Sequence, residues 1–406
     1  MKHLSFIVIL ILYFKFNIQA QIFEYDLIFT FNDYPIAKNN LSGIGNLGFD
    51  SHESLYNPKY NSENENKLAI YLSSNSIINY TAKIPSTDAE VFKGEFIMWP
   101  NLSLQYNIDK YSFYIQYFNE LLLKNRAVGT WSFHIPSFNG ERSITSPEPE
   151  FLISNNELQL AVSRKIMKGF SISVGILTNI FRNKQIFGSI VKEISSNFLD
   201  NIQILGSINY NSGSISLYLL GKSQAGPLHL NPEIIDLNED IKFYNNAIIS
   251  YPGYLGYGIQ YKIINPLKIS IEMQHEFFNT VYDYKYKRVP YVEPWDRSGK
   301  FSKNIFNNEI IIGLNYFTPI NLSVGLMYSK YLKYDVDVNN LLNYINPLPK
   351  YDNINFYDFS CEYFYANWSI YLRYQVSSTG YKKIPGERDR KDTYQLAILG
   401  LGFMLE

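Results

Sequence analysis

A chain of 406 residues would ordinarily divide into soluble domains of ~150, but 18% charged residues against the ~25% usual for such domains, with 17% aromatic, argue against that division. Lys and Arg number 36 and Asp and Glu 37, scattered without blocks, which excludes a nucleic-acid footprint; the single cysteine, Cys361, excludes an intramolecular disulfide or a Cys-based zinc cluster. Mean hydropathy is -0.16 and, past the first 20 residues, no apolar run reaches ~18, so helical membrane spans are excluded as well.

At the start of the chain, Lys2 and His3 precede an apolar run from Leu4 to Phe14, and a short polar stretch leads to Ala20-Gln21. This is the pattern of a secretory signal peptide over 1–20, cleaved after Ala20; the run is too short to serve as a membrane span. Residues 21–66 carry Leu41-Ser42-Gly43-Ile44-Gly45-Asn46-Leu47-Gly48 and then Glu53-Ser54-Leu55-Tyr56-Asn57-Pro58. Glycines so closely spaced favour a compact irregular fold over a strand or helix. A phosphate loop is the competing idea, but no Gly-Lys-Ser/Thr follows and no strand-to-helix context surrounds it.

From residue 67 the chain repeats one unit: two alternating segments joined by a very short turn, then a longer polar connection. The period is 2, which is that of strands. After a first strand near 67–80, Asn101-Leu102-Ser103-Leu104-Gln105-Tyr106-Asn107-Ile108 alternates without a fault, Asp109-Lys110 turns, and Tyr111, Phe113, Ile115 and Tyr117 resume the apolar face. The next pair runs from Glu157 to Ile166, turns at Met167-Lys168-Gly169, where glycine supplies a positive φ, and returns with Phe170, Ile172, Val174 and Ile176 on one face. Further turns are expected at Asn211-Ser212-Gly213, Asn265-Pro266-Leu267, Thr318-Pro319-Ile320 and Ala366-Asn367, with a last strand near 393–405. The long connections fall at 124–156, 182–199, 224–253, 281–305, 332–353 and 379–391.

Fourteen strands result, and short and long connections alternate strictly. A soluble sandwich has no reason to sort its connections by end, whereas an outer-membrane barrel has short periplasmic turns and long external loops. Strands of ~10 residues match the span of a tilted strand, and unpaired backbone in hydrocarbon forces the sheet to close. The fold class expected is therefore all-β, a 14-stranded antiparallel transmembrane β-barrel with residues 67–406 in the barrel, closing at a diameter of roughly 28 Å. Leu102, Leu104, Leu219, Ile259, Leu326 and Ile370 are expected to face outward; Ser103, Gln105, Ser214, Gln260, Ser323 and Gln375 are expected to face inward.

No histidine pair has metal-ligand spacing, and neither a metal nor a cofactor is expected. Ser132 and His134 share a face of a short segment, but no third orienting group is identifiable and the chain is not expected to be an enzyme. Lys262, Glu272, Glu276, Glu309, Asp358, Glu362 and Arg373 fall on the polar alternates and are expected to face the lumen. They either line a route for solute or pair with one another; Glu362 and Arg373, on consecutive strands, are a plausible pair.

In Ser42-Gly43-Ile44-Gly45, Asn57-Pro58 and Trp99-Pro100-Asn101-Leu102, together with the strand count, the chain resembles the outer-membrane long-chain fatty-acid and hydrocarbon transporter family of the FadL/TodX type. The resemblance implies that residues 21–66 form an N-terminal hatch or plug inside the barrel, with Ser42, Gly43, Gly45, Gly48, Asn57 and Pro58 in the hatch. It implies uptake of hydrophobic compounds such as long-chain fatty acids, captured among loop residues such as Phe138, Phe151 and Leu228 and released sideways into lipid. The expected surroundings are outer-membrane lipid and lipopolysaccharide in a Gram-negative cell, a hydrophobic small-molecule ligand, and the barrel-assembly machinery. A non-transport scaffold or shuttle of a secretion system, and a general diffusion porin, are the alternatives.

Overall fold

A computed structural model describes residues 67–84, 89–94, 97–127, 130–137, 140–147, 150–187, 190–195, 202–225, 227–230, 233–236, 241–244, 247–250, 253–285, 287–289, 298–333, 350–382 and 390–405. The wall is built from β1 (Leu68–Ile84), β2 (Ile97–Ile108), β3 (Tyr111–Ala127), β4 (Glu150–Met167), β5 (Phe170–Phe187), β6 (Ile202–Asn211) and β7 (Ile215–Lys222). It continues with β8 (Gly253–Ile264), β9 (Leu267–Lys285), β10 (Ser298–Phe317), β11 (Leu322–Lys333), β12 (Lys350–Tyr365), β13 (Trp368–Lys382) and β14 (Arg390–Leu405). Each strand pairs antiparallel with its neighbours in chain order, and β14 returns to β1 from Leu405↔Leu68 to Lys391↔Lys83, so the sheet closes.

Local sequence explains where the strands reverse. The tight turns place Asp109, Gly169, Gly213, Asn321 and Ala366 at positive φ, and the Asn265-Pro266 peptide is cis. Asp, Asn and Gly carry four of these five positions because they reach the left-handed region at least cost. Gly169 is further constrained: a Cβ there would collide with the backbone carbonyl of Asn211 in the next short turn, whose N–H donates to the Gly169 carbonyl at 2.7 Å.

Burial alternates along the strands, seen without interruption from Ile202 to Tyr210. The exposed set is apolar, with Leu219, Ile259, Leu326, Ile370 and Leu399 among it, as a lipid-facing band requires. The buried set points inward and is largely polar, including Ser103, Gln105, Gln260, Ser323 and Gln375. Two of the assigned positions differ. Leu104 stands on the outward parity but is covered, between Ile70 and Ile115 of the adjoining strands, and Ser214 is exposed in the turn before β7 rather than lining the lumen.

Apart from β6 and β7, the wall strands are longer than the ~10 residues expected for a bilayer crossing. β9 and β10 pair from Leu267↔Tyr316 to Lys285↔Ser298, so most of the expected 281–305 connection is sheet. Within 124–156, Thr130–Ser137 and Gly140–Pro147 form a hairpin of their own; within 224–253, Pro227–Leu230 pairs with Ala247–Ser250, and Glu233–Asp236 with Ile241–Tyr244. Backbone N–H and C=O groups need partners beyond the bilayer too, and a continuing ladder supplies them.

Register sets the tilt. The inward row from Ala69 runs Gln105, Tyr114, Ala161, Gly175 and Leu205, meeting β6 six residues above Asn211. The row leaving Asn211 passes Ser216, Gln260, Ser270, Gly313, Met327, Asp358, Gln375 and Leu396 and meets β1 at Ile77, eight residues above Ala69. Each row therefore spirals upward, and the climb in one circuit equals the number of strands, which tilts them by about 37°.

Candidate functional site: the barrel lumen and a break in its wall

All seven charged residues expected to face the lumen lie on the inward parity. Glu272, Glu309, Asp358, Glu362 and Arg373 are buried, and Lys262 and Glu276 are half-buried. Arg373 forms its ion pair with Asp358, Nη2 lying 2.6 Å and Nε 2.7 Å from Oδ1, while Gln375 donates to both carboxylate oxygens at 3.1 Å. Directly opposite Arg373 is Ser360; Glu362 faces Tyr371. A long guanidinium stem thus reaches one row along the barrel axis.

A second ion pair was not anticipated. Lys222 of β7 reaches back past β6 and β5 to Glu157 of β4, with Nζ 3.2 Å from both carboxylate oxygens. Tyr218 likewise crosses β8, donating to Glu272 Oε2 at 2.7 Å. The strand between them presents Gly258, where a Cβ would come 2.6 Å from Glu272 Cγ and 2.8 Å from Tyr218 Cε1. Glycine here makes room for a bond that spans three strands.

The inner wall is not uniformly polar. Tyr114, Ala161, Leu177, Leu205, Tyr218 and Leu220 form one inward apolar cluster with Tyr254 beside it, and Ala69, Tyr71 and Phe118 form another with Met404. Sequence reasoning assigned the inward face to polar residues and so missed both. The available signal was parity: Leu177, Leu205 and Leu220 occupy alternates shared with serine and glycine.

β2 and β3 pair from Ile108↔Tyr111 up to Leu102↔Tyr117, and no pair above this joins them among the described residues. β2 continues to pair with β1 as far as Ile97↔Ile77, while β3 continues with β4 through a register shift between Asn119 and Leu121. Higher up, Ala89–Gly94 fills the space, pairing with β1 and, at Gly94↔Asn125 to Phe92↔Ala127, with β3. The wall is therefore interrupted between Ile97–Asn101 and Phe118–Lys124. Pro100 lies on this edge, where a residue without an N–H is tolerated. Phe118 places the smaller apolar cluster at the lower lip.

Ser42, Gly43, Gly45, Gly48, Asn57 and Pro58 lie outside the described residues. Ser132 and His134 lie on the separate Thr130–Ser137 hairpin, outside the barrel sheet. Among the described residues no three His, Cys, Asp or Glu side chains are grouped to hold a metal ion.

No family model and no curated protein sequence matches the chain. Solved structures do resemble it. One is a FadL homologue of Pseudomonas aeruginosa, at a TM-score of 0.53 and 10% identity over 84% of this chain and 90% of that one. Another is the Pseudomonas putida toluene transporter TodX, at 0.54 and 11% over 88% and 93%. A third is the Ralstonia pickettii toluene transporter TbuX, at 0.54 and 8% over 84% and 90%. At such identities the likeness is one of fold. The chain has the closed, 14-stranded β-barrel fold of the FadL and TodX structures.

Proposed function

We propose that the protein is a channel of the Gram-negative outer membrane that takes up hydrophobic compounds, long-chain fatty acids among them, and releases them sideways through the break between β2 and β3. The break carries this reading. A greasy solute gains little from an aqueous exit and much from a direct path into lipid. Phe118 and its apolar neighbours line the inner side of that path, and the exposed apolar band surrounds its outer side. Residues 21–66, which join β1 at the short-turn end of the barrel, are proposed to plug the lumen, and the long-connection end is proposed to capture ligand. The short-turn end would then face the periplasm, with residues 1–20 acting as export signal.

The test is transport by the full chain reconstituted in vesicles, with toluene and oleate as probes. In a Cys361→Ser background, Asn101→Cys and Phe118→Cys are bridged with a short bifunctional thiol reagent. Bridging is expected to lower uptake of both probes by about tenfold or more, with reversal when a cleavable reagent is cut. Unchanged uptake after complete bridging sinks lateral release. Chloride conductance addresses the porin reading, which the polar inward set favours: a large steady conductance in the unbridged protein supports a diffusion pore instead.

A further inference from the structure

The short turns are not alike in charge. Those at Asn211-Ser212-Gly213, Thr318-Pro319-Ile320 and Ala366-Asn367 carry none. Residues 106–111 and 163–171, which hold the adjoining β2–β3 and β4–β5 turns, carry Lys110, Arg164, Lys165 and Lys168 against one acid, Asp109, in a chain whose net charge is -1. The two turns are tied together. The Lys165 N–H donates to the Lys110 carbonyl at 2.8 Å, and Tyr111 stands directly opposite Arg164, whose guanidinium carbon lies 5.6 Å from the centre of the ring. Lys110, Arg164 and Lys168 are exposed and form no ion pair among the described residues.

The same turns are apolar on the outside. Arg164 lies on the outward parity, in line with Val162 and Leu160, and Ile166 and Met167 beside it are 50% and 61% exposed. Ile108 and Tyr111 continue the exposed apolar band of β2 and β3 down to the first turn. A surface that is apolar along the strands and cationic at their ends matches the edge of a leaflet, where acyl chains give way to phosphates and Lys and Arg stems reach the headgroups. We infer that the β2–β3 and β4–β5 turns form a docking surface for anionic phospholipid, with Lys110, Arg164 and Lys168 meeting the phosphate oxygens. An acidic protein would satisfy the same charges but leave Ile166 and Met167 facing water; a lipid covers both. In a zwitterionic headgroup an ammonium offsets the phosphate, so the surface selects headgroups that carry net negative charge. This inference rests on the lipid-facing wall and not on the uptake reading.

The experiment uses the full chain in an uncharged detergent, with bound lipid counted by native mass spectrometry during titration. The probes are dioleoyl phosphatidylglycerol and dioleoyl phosphatidylcholine, which share their acyl chains. Each Lys or Arg near an anionic surface is worth roughly fivefold in binding, so the first phosphatidylglycerol is expected to bind at least about tenfold more tightly than phosphatidylcholine. Lys110→Gln with Arg164→Gln and Lys168→Gln is expected to bring the two lipids within about twofold while leaving phosphatidylcholine binding unchanged. Lys110→Arg with Arg164→Lys and Lys168→Arg is expected to keep the preference. Barrel integrity in each variant is read from its heat-dependent gel shift. A preference that is missing from the unaltered protein, or that survives the triple Gln substitution, overturns the inference. So does a poly-glutamate peptide whose binding falls in the triple Gln variant while the lipid preference does not, which would point to an acidic protein instead.

Discussion

The Asp358–Arg373 pair gives the sharpest test of how the lumen wall is held together. Its side chains are 2% and 1% exposed, and its contacts run at 2.6 and 2.7 Å, with Gln375 adding two more to the carboxylate. Removing one partner from such a site leaves a buried charge uncompensated, which costs about 3–5 kcal/mol. Arg373→Met keeps the stem and removes the charge; Asp358→Asn keeps the shape and removes the other charge. Each alone is expected to destabilise by that amount. Together they remove both charges, so the double variant is expected to cost at most about 2 kcal/mol, giving a coupling of several kcal/mol. The assay is urea-dependent refolding into lipid vesicles followed by tryptophan fluorescence and gel shift. If each single substitution costs under about 1 kcal/mol, or the two add within about 0.5 kcal/mol, the pair is screened by lumenal water and the low-dielectric argument is wrong.

Gly258→Ala inserts a methyl 2.6 Å from Glu272 Cγ, and the displaced side chains should cost about 1–3 kcal/mol in the same assay, with part of the loss shared by Tyr218→Phe because both act on one hydrogen bond. Gly169→Val combines a φ of 75° with a collision at the Asn211 carbonyl, and should lower stability by about 1–3 kcal/mol or leave unfolded chain on the gel. Leu326→Arg places a charge on an outward residue that is 54% exposed, for an expected loss of about 2–4 kcal/mol in vesicles; a neutral result would mean that β11 does not face lipid there.

Much of this fold was written into local chemistry. Every short turn carries its own reversal signal, and strict alternation fixed which face of each strand meets lipid, down to Ser323 and Leu326 on opposite sides of one strand. The seven charges expected to face the lumen all fall on the parity of the buried set. What stayed hidden depends on register between strands. Arg373 stands opposite Ser360 with Asp358 and Glu362 one row to either side, so parity alone does not single out Asp358 as an ion-pair partner. Lys222 meets Glu157 across two intervening strands, a distance that no local pattern encodes. The ladder from Thr280↔Lys303 to Lys285↔Ser298 looked like a loop because Lys, Ser, Thr, Asp and Gly outnumber apolar residues there, so the hydrophobic alternation fades although the hydrogen bonds do not. The wall break had one trace, Pro100, whose meaning appears only once β3 is seen to leave β2.

The seam between β1 and β14 also governs how the molecule comes into being. Its pairs, such as Leu68↔Leu405, join residues separated by nearly the whole barrel sequence, so no contact across it can form until the final strand has been delivered. Contacts of such separation are formed slowly because their loop entropy must be met first. Until then β1 and β14 are open edges that hydrocarbon will not accept and that other chains can extend. Assembly is therefore expected to be held at one late step, and a chain lacking β14 should accumulate as aggregate rather than insert as a smaller barrel.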